Sequence, residues 1–303
     1  MGFGAIGAGV GEGYTAGQTV LGISRQPSAS GQLIKTMLIG QAITETSGIF
    51  ALVIAVLMIS PGVGAGDNIV VSMAAFLGAG ISVGIAGFGV GIGGGFPAAK
   101  ACEGIARRPS VAGQVSVTML IGQAAASTPV VFGLVVAFIL LYTPFSGSWE
   151  RAAALLGAGI SAGFGGFGSG IGGGMPGGTA CAATARRMDL RSQIIGTMLI
   201  GQAVTQTSAI FALVVSFLLM FTTGDGSDIV KIAGLLGAGI SMGFGAIGPG
   251  LGTGIPAASA CTCIRINERT GSVTTRVMLL GQAVAQSTAI YSLIIALLMI
   301  FVV

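Results

Sequence analysis

Met37-Leu38-Ile39-Gly40-Gln41-Ala42-Ile43-Thr44-Glu45-Thr46-Ser47-Gly48-Ile49-Phe50 sets one carboxylate in the middle of an apolar helix that runs on to Ile59. A charge at membrane depth costs several kcal/mol, roughly 2.5 on insertion scales and over about 10 in some simulations. A residue kept at that cost points to a function. The stretch recurs three times with the acid replaced: Gly122-Gln123-Ala124-Ala125-Ala126-Ser127, Gly201-Gln202-Ala203-Val204-Thr205-Gln206 and Gly281-Gln282-Ala283-Val284-Ala285-Gln286. Glu45 is the odd one out of four copies.

The Gly-Gln-Ala signature begins at 40, 122, 201 and 281, so it recurs in nearly equal steps. Each period holds two apolar segments joined by an Arg-containing turn. Apolar runs longer than about 18 residues, present in every repeat, read as membrane spans. The chain of 303 residues is 53% hydrophobic and 7% charged, against about 25% charged in soluble domains. A soluble domain is excluded. The pattern predicts an all-α membrane protein of four tandem transmembrane hairpins, eight helices in all. The hairpins divide as 1–63, with a shortened first helix and the acid, then 64–145, 146–224 and 225–303. No basic stretch precedes a short apolar one, so no cleavable signal peptide is expected.

The first helix of each pair is rich in glycine, as from Gly78 to Gly95, Gly157 to Gly174 and Gly237 to Gly254. A phosphate-binding loop is a weak reading of these runs. No strand precedes them and no acid follows at the right distance. Small residues instead let helix backbones approach closely within a membrane. Glycine at nearly every second position predicts contact on more than one face, as in a ring with the bulkier second helices outside. Segments of about 30–38 residues span roughly 45–57 Å, so they project beyond a core about 30 Å thick.

Charge placement sets the orientation. Eleven of the thirteen Lys and Arg lie near four short connections: Arg25 and Lys35; Lys100, Arg107 and Arg108; Arg186, Arg187 and Arg191; Arg265, Arg269 and Arg276. The other connections carry Asp67, Glu150, Arg151, Asp225, Asp228 and Lys231. The positive-inside rule puts the Arg-rich loops in the cytoplasm and both termini outside. Basic residues dispersed over four loops do not make a nucleic-acid surface. Cys102, Cys181 and Cys261 fall at one repeat position, with Cys263 close by. That spacing points to small-residue packing, not to a disulfide or metal site. The absence of His removes the commonest metal ligand.

Glu12, in Gly9-Val10-Gly11-Glu12-Gly13-Tyr14, is the second acid in an apolar segment. It lies almost as far before Ser28 as Glu45 lies after it. A turn centred on Ser28 therefore brings the two carboxylates to one depth. Two adjacent carboxylates share a proton or bind a cation. Thr46 and Ser47 add hydroxyl oxygens, and oxygen ligands suit a hard cation. A merely structural polar pair is the plainer alternative, but Ser, Thr or Gln would serve it at less cost. Glu12 corresponds to Gly94, Gly173 and Thr253, so both acids are absent together from each later repeat.

Gly9 to Pro27, with Gly-Val-Gly-Glu-Gly-Tyr and Arg25-Gln26-Pro27, resembles the rotor-ring c-type proteolipid of F-type ATP synthases, and so does Gly40 to Met58. The resemblance runs through all four hairpins. It implies that Glu45 carries the ion, and that the loop of Arg25, Gln26 and Pro27, with Arg107, Arg108, Arg186 and Arg187, contacts the central stalk. In sodium-binding members of that family Glu12, Glu45 and Thr46 match the side-chain ligands. Ser47 matches a water-holding hydroxyl and the carbonyl of Ile43 a backbone ligand. Two features depart from the pattern. Phe50 stands where sodium binders have a Tyr, which Tyr291 keeps in repeat four. Four hairpins with a single acidic site resemble the V-type rotor proteins instead.

The resemblance implies a non-catalytic rotor component with no covalent cofactor, which transports Na⁺ or H⁺, with Na⁺ favoured. Implied partners are other copies in a ring, a stator protein with a membrane Arg, the central stalk of a soluble head, and lipid. A bacterial cell membrane is the expected location. One ion per four hairpins implies gearing for an ATP-driven pump. A carboxylate-lined channel, and a degenerate ring component mixed with active single-hairpin proteins, are the competing readings.

Overall fold

The computed structural model describes residues 1–60, 68–222 and 226–302. Asp67, Asp225 and the hairpin boundaries at 63/64 and 224/225 lie outside the described residues. The described chain is helical throughout: α1 (Gly2–Arg25), α2 (Ser30–Ile59), α3 (Ile69–Arg107), α4 (Ala112–Ala126), α5 (Thr128–Tyr142), α6 (Trp149–Arg186), α7 (Arg191–Thr205), α8 (Thr207–Phe221), α9 (Ile229–Ile266) and α10 (Gly271–Phe301). One 3-10 turn closes each hairpin, at Pro27–Ala29, Pro109–Val111, Met188–Leu190 and Glu268–Thr270. Pro27 and Pro109 open their turns, where a missing N–H costs nothing. Among the described residues, seven helical columns are long and apolar enough to cross a membrane. The chain is thus a multi-pass membrane protein of four tandem hairpins. The first helix, α1, has 24 residues against 39 for α3 and is not among the seven.

The glycine-rich helices α1, α3, α6 and α9 stand side by side in chain order, each touching the next. Their backbones meet without intervening side chains. A Cβ added at Gly89 would lie 2.2 Å from the Phe167 carbonyl oxygen, and one at Gly172 would lie 2.0 Å from that of Gly250. The outer helices cover the grooves between neighbouring inner helices: α2 packs on α1 and α3, α4 and α5 on α3 and α6, and α7 and α8 on α6 and α9. The apolar core forms separate clusters. A large one joins Ile54, Val83, Leu140, Leu155 and Met242 in the half away from the turns. Others, at Leu33, Ile105 and Met119 and at Ile194 and Met198, lie near the turns. Between them runs a belt of buried polar groups, including Thr44, Gln123, Ser169, Gln202, Ser208, Thr253 and Gln282.

The second helices of hairpins 2 and 3 are not continuous, as the apolar pattern predicts, but break at Ser127 and Gln206. These are the positions matching Glu45. Pro129 explains the first break, because it offers no N–H to the Ala125 carbonyl four residues earlier. At the second there is no proline. Two side-chain donors, Thr207 Oγ1 and Gln286 Nε2, converge instead on the Val204 carbonyl at 2.7 and 3.0 Å.

Candidate functional site: a carboxylate pair at an open edge

Each Gly-Gln-Ala glutamine ties its own hairpin together at the depth of the polar belt. Gln41 Nε2 donates to the Glu12 carbonyl at 3.1 Å, Gln123 to Gly94 at 2.9 Å, Gln202 to Gly173 at 2.8 Å and Gln282 to Thr253 at 2.9 Å. Three of them also reach back to the preceding hairpin. Gln123 bonds Gly40 O at 2.9 Å, Gln202 bonds Gly122 O at 2.9 Å and Gln282 bonds Gly201 O at 3.0 Å. Gln41 makes no second bond of this kind among the described residues. Sequence reading used this signature only to count repeats. The signal that gives its role is the constant offset, 29 in every hairpin, back to the position of Glu12.

Four residues later the same rule holds. Gln206 Nε2 donates to Ala125 O of hairpin 2 at 2.7 Å, and Gln286 Nε2 to Val204 O of hairpin 3 at 3.0 Å. Threonine hydroxyls cap the same carbonyls: Thr128 on Ala125 at 3.1 Å and Thr207 on Val204 at 2.7 Å. Ser127 is too short to cross, and its Oγ bonds Gln123 O of its own helix at 2.8 Å. Residues at the position of Glu45 therefore face the preceding hairpin. Glu45 is exposed, at the open edge of the described structure.

Glu12 and Glu45 line one cavity of about 240 Å³, together with Ala8, Gly9, Gly48 and Leu52. Of the five residues expected at the ion site, the structure brings these two together. Ile43, Thr46 and Ser47 do not line that cavity. Thr46 Oγ1 bonds Ile43 O at 2.6 Å, and this pair matches Thr128 with Ala125, which faces the following hairpin. By repeat position the Ile43 and Thr46 oxygens correspond to the Ala125 and Thr128 oxygens that Gln206 meets across the next joint. Ser47 is fully buried, with its hydroxyl on Thr44 O at 2.9 Å.

The glycines mark both edges as unfinished joints. Gly7 and Gly89 occupy one repeat position, where a Cβ would lie 2.3 and 2.2 Å from the carbonyl oxygens of Phe88 and Phe167 in the next hairpin. Their counterpart Gly248, in hairpin 4, meets nothing within 4 Å. On the opposite edge Gly9 and Gly13 also meet nothing, although their counterparts Gly91 and Gly95 press on α1.

The family described as the C subunit of ATP synthase matches residues 1–58, 77–140, 156–219 and 236–299, once per hairpin. The chain belongs to the ATP synthase C-subunit family. The K subunit of the A-type ATP synthase of Methanocaldococcus jannaschii is 31% identical over 228 residues, 75% of this chain and 96% of that one. The ATP synthase c-subunit of Natranaerobius thermophilus is 54% identical over 54 residues, 18% of this chain and 63% of the relative. That of Thermotoga maritima is 54% identical over 69 residues, 22% of this chain and 80% of the relative. Membership makes the protein a rotor-ring component of that family in fused, four-hairpin form.

At the turn end of this C-subunit chain, Arg25, Pro27, Arg107, Arg108 and Arg186 are exposed, while Gln26 and Arg187 are half-buried. Arg107 pairs with Glu103 at 2.5 Å and Arg187 with Asp189 at 2.6 Å. Surface pairs of this kind add at most about 1 kcal/mol and leave the guanidinium edges accessible. The opposite end is stitched between hairpins. Asn68 Nδ2 donates to Gly147 O at 3.0 Å, and Glu150 takes the Asp228 N–H and the Lys231 ammonium, both at 3.1 Å.

Proposed function

We propose that this protein carries one Na⁺ or H⁺ on Glu45 at a site completed by the next copy in a ring. The observation behind the reading is the pair of hydrogen bonds that the Gln206 and Gln286 amides donate to carbonyls of the preceding hairpin. For Glu45 the matching carbonyl is that of Val284, in hairpin 4 of an adjacent copy. The Ser287 hydroxyl caps it at 2.7 Å. A carboxylate accepts hydrogen bonds and has none to donate. Two acceptor oxygens brought face to face there require a proton or a cation between them. Glu12, on the same cavity, adds a second carboxylate. Carboxylate, carbonyl and hydroxyl oxygens suit a hard cation, so Na⁺ is the favoured ion.

In this reading the chain hydrolyses nothing. A soluble head supplies the chemistry and grips the ring through a central stalk at Arg25, Gln26, Pro27, Arg107, Arg108, Arg186 and Arg187. The Arg-bearing turns face the cytoplasm of a bacterial cell, both termini lie outside, and a stator protein exchanges the ion. One ion per four hairpins gears the ring as an ATP-driven pump. Counting Na⁺ taken up per ATP split, in proteoliposomes holding the assembled enzyme, tests it. About one ion per ATP is expected from a ring of three such chains driven by a head that splits one ATP per chain. Three or more would contradict a ring built of this chain alone.

A further inference from the structure

We infer that Gln206 and Gln286 are built-in stand-ins for the transported ion: their amides hold, with a fixed N–H donor, the place that the ion fills at Glu45. The inference rests on Glu45 as ion carrier and extends that reading to the joints that carry no ion. An amide and a carboxyl have nearly the same shape. They differ at the point that faces the neighbouring carbonyl, where one presents NH₂ and the other an oxygen. Gln206 Nε2 lies 2.7 Å from Ala125 O and Gln286 Nε2 lies 3.0 Å from Val204 O. Each joint is thus closed without a proton or cation, and each carbonyl keeps its hydroxyl cap.

The assembled chain then has three kinds of joint. Hairpins 2–3 and 3–4 are tied by amides. The joint between copies is closed by the ion. The joint between hairpins 1 and 2 has neither, because Ser127 turns back on Gln123 O and Ile43 O receives only the Thr46 hydroxyl. If the amide holds the ion's place, changing it to a carboxyl must create an ion site. For Gln206→Glu, the Ala125 carbonyl and the Thr128 hydroxyl that complete such a site lie in the same chain.

The test uses membranes bearing the assembled enzyme, the hydrophobic carbodiimide dicyclohexylcarbodiimide, which attacks protonated carboxyls, and peptide mass spectrometry to locate the label. In Gln206→Glu the new carboxyl at position 206 is expected to label at low pH and progressively less as pH rises. Millimolar Na⁺ should suppress it further, as it should at Glu45. Labelling at 206 that ignores both pH and Na⁺, or no labelling at 206 in an assembled ring, overturns the inference. Gln286→Glu, facing Val204 O, is the second variant should the first fail to assemble; failure of both to assemble also overturns it, since a loaded carboxyl should fit where the amide does. Glu45 in the unaltered chain is read in parallel. Insensitivity there refutes Glu45 as ion carrier, whereas insensitivity confined to position 206 refutes the stand-in.

Discussion

Gly9→Val is expected to stop chains from joining while leaving each chain folded. Gly9 lies on the open edge of hairpin 1, and a Cβ there meets nothing within 4 Å. Its counterparts are inside joints. A Cβ at Gly91 would lie 2.4 Å from Ala8 N and Gly7 C, one at Gly170 would lie 2.7 Å from Val90 N, and one at Gly250 would lie 2.6 Å from Gly168 C. Ordinary Cβ contacts begin near 3.4 Å. A second copy seated on hairpin 1 as hairpin 1 sits on hairpin 2 therefore meets the valine with an overlap of roughly 1 Å, against backbone that cannot swing aside. Overpacking of that kind costs about 1–3 kcal/mol or more. With tenfold in affinity for about 1.4 kcal/mol, each joint weakens by roughly fivefold to over a hundredfold.

The assay separates assembly from folding. Ring mass is read by native mass spectrometry of detergent-extracted protein, and helix content and thermal unfolding of the single chain by circular dichroism. Gly9→Val should give chains of normal helicity that do not close into rings. Gly91→Val, with the same clash inside the chain, should lower the unfolding temperature of the chain itself. Gly248→Val, on the other open edge, should reproduce the effect of Gly9→Val. Closed rings of normal mass from Gly9→Val chains would refute the head-to-tail joint, and with it the placing of Val284 and Ser287 opposite Glu45.

Three further substitutions bear on the site. Glu45→Gln should abolish Na⁺ uptake and ion-coupled ATP hydrolysis in proteoliposomes while the ring still assembles, because the new amide can donate to Val284 O; unchanged pumping would sink Glu45 as carrier. Glu12→Gln should transport with a weaker apparent Na⁺ affinity, since an amide oxygen still coordinates, and complete loss would show that the second charge is indispensable. Gln202→Leu removes both hydrogen bonds by which that amide ties hairpin 3 to itself and to hairpin 2, at about 0.5–1.5 kcal/mol for each; an unshifted unfolding temperature would mean that the tie contributes nothing to stability.

The spacing of the Gly-Gln-Ala signature made the four hairpins legible, and the symmetry of Glu12 and Glu45 about Ser28 made their common depth legible. Both depend on distance along the chain, which a hairpin converts directly into depth. Direction round a helix is less visible. Thr46 adjoins Glu45 in sequence, yet successive residues point about 100° apart on an α-helix, and Thr46 and Ile43 do not line the cavity that Glu12 and Glu45 share. The amide ties were hidden for a related reason. Gln206 and Gln286 read as loss of the acid, and only the carbonyls of Ala125 and Val204 across the joints reveal what the amide does. The break at Ser127 could be read from Pro129, but the one at Gln206 depends also on Gln286 from the next hairpin, which nothing near Gln206 in sequence marks.

Amide-closed joints change the electrical problem that a rotor faces. An unloaded carboxylate at the bilayer centre costs several kcal/mol, so a ring with an acid in every hairpin must load each one before it leaves the stator. Joints closed by Gln206 and Gln286 need no loading. They are neutral, each amide already donates to a carbonyl across its joint, and no ion has to be bound before they cross hydrocarbon. On the reading proposed above, the penalty appears in synthesis, because the membrane acts on one charge per four hairpins of rotation. Each charge yields only about 2.3 kcal/mol per 100 mV, and so few charges per turn give a synthase little work. In the reverse direction the same sparseness helps. A head that splits ATP divides its work among few ions, and each can be driven against a steeper gradient. On that proposal, a ring with amides at two joints and a serine at a third favours pumping over synthesis.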